Sequence, residues 1–65
     1  MVDVKTRVLI VDDEDLARQK ITRYLRELEP SAETREASNG IEAIAAVKEF
    51  PPDIVFLDIQ MPGLN

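Results

Sequence analysis

Two short apolar runs, each leading into acidic residues, most constrain how this chain can fold. Residues 8–11 (VLIV) run directly into Asp12 and Asp13, and residues 54–57 (IVFL) run directly into Asp58. Unbroken apolar runs of this length, rich in β-branched side chains, are typical of strands buried on both faces of a parallel sheet. The two runs therefore predict two strands of one sheet, each followed by a carboxylate.

The segments between and around these runs predict three further elements. Helical spacing of apolar residues indicates helix 1 over residues 14–28, with acidic residues at its start and Pro30 beyond its end. Helix 2 starts at the capping-box-like pair Asn39 and Glu42 and stops before Pro51. With strand 1 over residues 6–11 and strand 3 over 54–57, we expect an edge strand 2 over the polar residues 32–37. Residues 60–65 are expected to form a loop.

Strands that alternate with helices predict a parallel sheet joined by βαβ crossovers. The polarity of strand 2 favours the order 2-1-3 over 3-2-1, because Glu33, Arg35 and Glu36 reach water only at an edge. In this order a switch point lies between strands 1 and 3, and open α/β sheets bind ligands there, beyond the carboxyl ends of the strands. The predicted fold class is α/β with a βαβαβ parallel sheet.

The acidic residues after strands 1 and 3 are expected to converge at this switch point. Adjacent strands lie about 4.8 Å apart, which brings Asp12, Asp13 and Asp58 together. Two like charges about 4 Å apart repel by about 1 kcal/mol in water and about 4 kcal/mol at an intermediate dielectric. Protonation or a bound divalent cation would relieve this repulsion. Since the chain has no histidine and no cysteine, oxygen ligands favour Mg²⁺, with Mn²⁺ or Ca²⁺ as substitutes.

Each acidic residue also has an ordinary structural explanation. A single Asp after a strand is commonly a turn former or a helix cap. We interpret Glu14 and Asp15 as first-turn partners of the helix dipole, and Asp53 as a strand-start residue at the opposite end of the sheet. The convergence of three carboxylates, rather than any one of them, favours a functional site.

Composition excludes several classes of function. Thirteen acidic against eight basic side chains give a net charge of -5, which disfavours nucleic-acid binding by this segment. The absence of histidine and cysteine excludes histidine catalysis, disulfides and the usual zinc sites. No apolar stretch approaches the ~20 residues of a membrane span, and the start of the chain carries no signal-peptide run. We therefore expect a cytoplasmic chain that does not bind membranes.

Three motifs, in this order and spacing, strongly resemble the receiver domain of two-component response regulators. They are VLIVDDE at residues 8–14, ASNGIEA at residues 37–43 and PDIVFLDIQMPG at residues 52–63. The resemblance implies a flavodoxin-like (βα)5 fold with strand order 2-1-3-4-5. Residues 1–65 are then expected to be one partial receiver domain that stops after strand 3. Residues 16–18 (LAR) and 57–64 (LDIQMPGL) also resemble regulators with a LytTR-type DNA-binding output domain.

The resemblance implies a role for four residues. Asp58 would be the phosphoacceptor for a sensor histidine kinase or for a small donor such as acetyl phosphate. Asp13 and Asp58 would bind Mg²⁺ directly, Asp12 largely through water, and Gln60 through its backbone carbonyl. The Ser or Thr and the Lys that contact the phosphoryl group in the family lie in the half not present here. Self-catalysed phosphorylation by this chain is therefore left open, and its signalling output is expected to be absent.

A hypothesis of a different class is a self-associating structural fragment without phosphotransfer activity. Strand 3 would form an edge whose apolar side chains and open hydrogen-bonding groups invite pairing, which predicts a dimer or oligomer. An acidic-pocket hydrolase is disfavoured, because no acid, base or water-activating group is identifiable beyond the same three carboxylates.

Overall fold

A computed structural model of the chain describes residues 5–57, and this part contains two helices and three strands. In chain order these are β1 (Arg7–Val11), α1 (Asp15–Leu28), β2 (Glu33–Ala37), α2 (Gly40–Glu49) and β3 (Ile54–Leu57). Each lies within one residue of its predicted bounds. The loop predicted over residues 60–65 lies outside the described residues.

The three strands form a parallel sheet in the order β2-β1-β3, which confirms the order predicted from the polarity of β2. β1 is paired on both sides along its length. At its last residue, Val11 is in register with Ala37 of β2 and with Leu57 of β3. Because all three strands run in the same direction, their carboxyl ends lie at one edge of the sheet.

β1 forms the centre of the hydrophobic core. Val8, Leu9, Ile10 and Val11 are each at most 3% exposed, which confirms the prediction of a strand buried on both faces. On one face, Leu9 and Val11 pack in a cluster with Ala37 of β2, and two α2 alanines, Ala43 and Ala46, complete that cluster. Burying each large apolar side chain of β1 contributes about 1.5 to 3 kcal/mol to stability.

β3 carries the same apolar pattern as β1 but is not buried. Its four side chains, from Ile54 to Leu57, are between 42% and 57% exposed. Burial on both faces, which this apolar pattern predicts, is therefore wrong in this structure, whereas the exposed apolar edge expected for strand 3 under the self-association hypothesis is confirmed. The physical reason is position: β3 pairs with β1 along one side only and lies at the edge of the described sheet.

α1 lies against the sheet with few buried side chains. Thr22 is its one buried residue, whereas Leu16 and Leu28 remain more than three-quarters exposed at 77% and 80%. Neither α1 nor α2 is both long and apolar enough to cross a membrane, within residues 5–57.

A cluster at the amino end of the sheet fixes the entry into β3. Phe50 is buried, and the guanidinium carbons of Arg7 and Arg35 lie 5.5 and 4.9 Å from its ring centroid, a favourable cation–π arrangement. The Asp53 carboxylate accepts a hydrogen bond from the Arg7 amide at 2.9 Å, and the Asp53 amide donates to the Arg7 carbonyl at 2.8 Å. Asp53 is thus a structural residue at the start of β3, as interpreted.

The amino end of α2 forms the Asn39 half of the predicted capping box, while the return bond of Glu42 goes to Ser38, one residue before the N-cap. Asn39 Oδ1 accepts a hydrogen bond from the Glu42 amide at 2.8 Å, which satisfies one of the free donors of the first turn. Glu42 Oε1 accepts from both the amide and the hydroxyl of Ser38, each at 2.8 Å. These bonds link the end of β2 to the start of α2.

We expect Asn39→Ala to lower the free energy of unfolding by about 1 kcal/mol, because the alanine side chain leaves the Glu42 amide without its cap. Asn39→Asp is the matched control, since aspartate is an equally good cap and should stay close to the wild type. Chemical denaturation followed by circular dichroism at 222 nm measures both. Equal losses in the two variants would contradict the assigned role of the Asn39 oxygen.

Stability should depend on pH through Glu42. Hydrogen bonds from the amide and hydroxyl of Ser38 lower the pKa of the Glu42 carboxyl below 4.5, and the positive charge of Arg18 acts in the same direction. A carboxyl whose pKa is lower in the folded state stabilises the fold above its unfolded pKa and loses that contribution as the pH falls through its folded pKa.

We therefore expect Glu42→Gln to destabilise the chain at pH 7 and to approach the wild type as the pH falls through the lowered folded pKa of Glu42, where the carboxylate contribution is lost. The melting temperature measured at several pH values follows this difference. Glu27→Gln, at an exposed α1 position with no side-chain hydrogen bond among the described residues, is the control. A Glu42→Gln difference that does not change with pH would rule out the carboxylate as its source.

Candidate metal and phosphoacceptor site

The predicted site lies at the carboxyl edge of the sheet, where β1 and β3 end side by side. Val11 and Leu57 are register partners, Asp12 and Asp13 follow the first, and Asp58 follows the second in the sequence. Asp12 and Asp13 belong to the described residues. Asp58 and Gln60, which complete the predicted ligand set, lie outside them.

Asp12 is held in place through both its backbone and its side chain. It is only 8% exposed, and its amide donates to the Ala37 carbonyl at 3.1 Å, which extends the pairing of β1 with β2 by one residue. Asp12 Oδ1 accepts a hydrogen bond from the Glu14 amide at 2.9 Å. Within residues 5–57, Oδ2 accepts no hydrogen bond. Asp12 therefore serves as a turn former and still offers a carboxylate oxygen to a ligand.

Asp13 differs from its neighbour in exposure and in partners. Its side chain is exposed and makes no hydrogen bond or ion pair with any other side chain or amide of residues 5–57. An exposed carboxylate without protein partners keeps both oxygens available to water or to a cation. The structure thus places one fixed and one free carboxylate side by side at the end of β1.

A positive side chain, Arg18, lies at this edge, and no local sequence pattern had placed it at the site. Arg18 Nη1 donates to the Asp12 carbonyl at 2.6 Å, Nε donates to Glu36 Oε1 at 3.0 Å, and Nη2 donates to Asp15 Oδ1. The Arg18 side chain is only 12% exposed. The i,i+3 spacing of Asp15 and Arg18 was the available signal, but the contact with Asp12 depends on how α1 packs.

The surroundings of Arg18 keep it charged. Burial lowers the pKa of the Arg18 guanidinium, but the hydrogen bonds to Glu36 and Asp15 and the charges of these carboxylates outweigh that effect, so the pKa is raised. Both carboxylates are thereby paired with the arginine. Asp15 lies in the first turn of α1, as interpreted, whereas Glu14 lies one residue earlier, at the N-cap position, and its side chain makes no capping hydrogen bond.

The donors present suit a hard divalent cation, although the described residues alone do not complete a site. Asp12 and Asp13 supply carboxylate oxygens, the ligand type that Mg²⁺, Mn²⁺ and Ca²⁺ prefer. Residues 5–57 contain no group of three or more Asp, Glu, His or Cys side chains arranged to hold a metal ion. The predicted set requires Asp58 and Gln60 in addition to this pair.

Several curated proteins are similar to this chain. An uncharacterized response regulatory protein of Yersinia pestis is 49% identical over 59 residues, which cover 91% of this chain and 25% of that protein. The transcriptional regulatory protein BtsR of Escherichia coli K12 is 48% identical, with the same coverage of 91% and 25%. The positive alginate biosynthesis regulatory protein of Pseudomonas aeruginosa is 52% identical over 64 residues, covering 89% of this chain and 24% of that protein.

The chain spans about a quarter of the length of these relatives, and no solved structure matches it significantly. The response regulator receiver domain family matches residues 8–65. This match runs from Val8, the second residue of β1, through β3 and includes the acidic residues that follow β1 and β3. Together with the parallel sheet in the order β2-β1-β3, it shows that the chain belongs to the receiver domain family of two-component response regulators.

Proposed function

We propose that this chain is a phosphoacceptor module of a two-component phosphorelay, in which Asp58 accepts a phosphoryl group with the help of Mg²⁺. One observation carries the proposal: the register pairing of Val11 with Leu57. Because of this pairing, the last residues of β1 and β3 are neighbours in the sheet. Asp12 and Asp13 follow one of them in the sequence, and Asp58 follows the other. A shared site for three carboxylates and a cation is the simplest use of that arrangement.

In the proposed reaction, a carboxylate oxygen of Asp58 attacks the phosphorus atom of a phosphohistidine on a sensor histidine kinase. The P–N bond breaks, its electron pair stays on the imidazole nitrogen, and an acyl phosphate forms on Asp58. Acetyl phosphate can replace the kinase, with acetate as the leaving group. An anionic nucleophile and an anionic phosphoryl group repel each other, and Mg²⁺ held by the proposed ligands would supply the positive charge that offsets this repulsion.

Each carboxylate of the β1 end has a distinct proposed task. Asp13, which is exposed and unpaired within residues 5–57, is proposed to bind Mg²⁺ directly together with Asp58 and the Gln60 carbonyl. Asp12 is proposed to hold the ion largely through water, because its Oδ1 is already engaged by the Glu14 amide. Mn²⁺ and Ca²⁺ offer the same oxygen chemistry and are proposed as substitutes.

We further propose a setting for the longer protein of which such a chain is part: a cytoplasmic regulator that a sensor kinase phosphorylates. Two relatives are named as regulators of transcription or of alginate biosynthesis. Residues 16–18 and 57–64 resemble regulators with a LytTR-type output domain, so transcription is the proposed output. This acidic segment is proposed not to contact DNA itself, since its net charge of -5 repels phosphates.

The phosphoacceptor proposal is tested by titrating the ¹⁵N-labelled chain with MgCl₂, then with beryllofluoride, and following the amide signals. We expect saturable Mg²⁺-dependent shifts at Asp12 and Asp13, and further shifts when beryllofluoride is added. Asp13→Asn should weaken Mg²⁺ binding about tenfold or more, since losing a ligand costs at least as much as losing an outer-shell partner. Asp58→Asn should abolish the beryllofluoride response.

Asp53→Asn is the matched control, because it alters an aspartate at the opposite end of the sheet and keeps an oxygen that accepts from the Arg7 amide. It should bind Mg²⁺ as the wild type does. With acetyl phosphate and Mg²⁺, mass spectrometry should detect the gain of one phosphoryl group. A folded wild type without Mg²⁺-dependent shifts, or a phosphoryl gain that persists in Asp58→Asn, contradicts the proposal.

A second candidate function is self-association through β3, and the exposure of this strand favours it. Four consecutive apolar side chains are 42% to 57% exposed on an edge strand. Edge strands of this kind are templates for pairing with another chain. The β3 side chains Val55 and Leu57 also line an apolar groove of about 330 Å³ with Ile44 and Val47 of α2. A second copy that pairs with β3 would cover both features.

We expect the chain to self-associate at high micromolar concentration, and Val55→Lys to weaken this association about tenfold or more, because it removes buried apolar area and adds a charge to the edge. Thr34→Lys adds the same charge to the opposite edge strand and should leave the association unchanged. Sedimentation equilibrium measures both. A wild type that stays a folded monomer under these conditions excludes the second candidate.

A further inference from the structure

We infer that Arg18 is a positioning residue for the Mg²⁺ site: it fixes the backbone of Asp12 so that the Asp12-Asp13 pair is presented in a binding-competent conformation. The inference rests on the proposed Mg²⁺ binding and adds to it a residue outside the predicted ligand set. It is carried by the hydrogen bonds of one partly buried guanidinium at the carboxyl edge of the sheet.

The guanidinium of Arg18 connects three elements at the point where β1 ends. From α1 it donates to the backbone carbonyl of Asp12 at 2.6 Å, and to Glu36 Oε1 of β2 at 3.0 Å. Its third contact is Asp15 in the first turn of α1. A planar guanidinium has donors in a rigid fork, so three acceptors on different elements define the position of the Asp12 carbonyl.

The partner on β2 is itself oriented. Glu36 Oε2 accepts a hydrogen bond from the Thr22 hydroxyl at 3.3 Å, while Oε1 accepts from Arg18. Thr22 is the buried residue of α1, one turn after Arg18. Both Glu36 oxygens are therefore engaged by α1, and the carboxylate is held where it can anchor the guanidinium.

The Asp12 backbone in turn determines where the carboxylates lie. The Asp12 amide donates to the Ala37 carbonyl, its Oδ1 accepts from the Glu14 amide, and its carbonyl accepts from Arg18. The turn from Asp12 to Glu14 is therefore held by Arg18 at the Asp12 carbonyl and by the Asp12 side chain at the Glu14 amide. Mutating a group that orients the ligands of a metal ion commonly weakens metal binding by about tenfold to hundredfold.

Charge alone predicts the opposite effect. A guanidinium near two carboxylates competes with a divalent cation, so its removal would strengthen Mg²⁺ binding if only Coulomb forces mattered. A role limited to holding α1 against the sheet predicts a lower melting temperature and an unchanged Mg²⁺ affinity. Positioning predicts weaker Mg²⁺ binding despite the lost positive charge, so the sign of the change separates the three explanations.

The test measures the dissociation constant for Mg²⁺ from amide shifts during a MgCl₂ titration. Arg18→Met should raise it about tenfold. Arg18→Lys keeps the charge but lacks the planar fork, and it should also bind Mg²⁺ more weakly than the wild type. Arg23→Met is the matched control: Arg23 is exposed on the same helix and forms no ion pair within residues 5–57, and its loss should leave the constant unchanged or lower it.

Two further measurements keep the inference testable if Arg18→Met folds poorly. Thr22→Val changes no charge and releases Glu36, and it should weaken Mg²⁺ binding in the same direction. Without metal, the Asp12 and Glu14 amides should exchange their hydrogens faster in Arg18→Met, relative to the Asp53 amide at the opposite end of the sheet.

A wild type that does not bind Mg²⁺ defeats the proposed function. If the wild type binds Mg²⁺ and Arg18→Met binds it equally well or more tightly, the positioning role of Arg18 is wrong and the proposed function still stands. Unchanged hydrogen exchange at the Glu14 amide in Arg18→Met leads to the same conclusion.

Discussion

The pairing of β1 with a parallel strand on each side is the constraint on which the other features of the structure depend. It buries all four side chains from Val8 to Val11 and sets Ala37 and Leu57 in register with Val11. The same pairing continues into Asp12, whose amide donates to Ala37. The carboxyl edge of the sheet therefore begins at a well-defined position, and the acidic turn is built on the most buried strand of the chain.

The acidic turn at this edge is balanced by a side chain from α1. Considered along the sequence, Asp12 to Asp15 form four consecutive negative charges without a neighbouring cation. In the fold, Arg18 pairs with Asp15 and Glu36 and binds the Asp12 carbonyl. The repulsion is thereby reduced at Asp15, while Asp13 keeps its carboxylate free of partners within residues 5–57. Such a division suits a cation site, which needs negative charge at one position and a stable backbone beneath it.

β1 and β3 show that an apolar run indicates that a strand favours burial, but does not show that the strand is buried. The two runs are nearly alike in sequence, yet one is at most 3% exposed and the other 42% to 57% exposed. The difference comes from the neighbours: β1 lies between two strands, and β3 lies at an edge. The same exposure makes β3 the natural surface for a second copy in the self-association proposal.

The sequence by itself determined the bounds of the helices and strands, the parallel sheet and the order β2-β1-β3, because apolar periodicity, caps and the polarity of β2 are local properties. It also identified Asn39 with Glu42 as a helix cap and Asp53 as a strand-start residue. Only the tertiary structure decided how far each apolar run is buried, and only it brought Arg18 to Asp12. Both depend on packing between elements distant in the chain, where burial and hydrogen-bond geometry are set by neighbours that a local pattern does not specify.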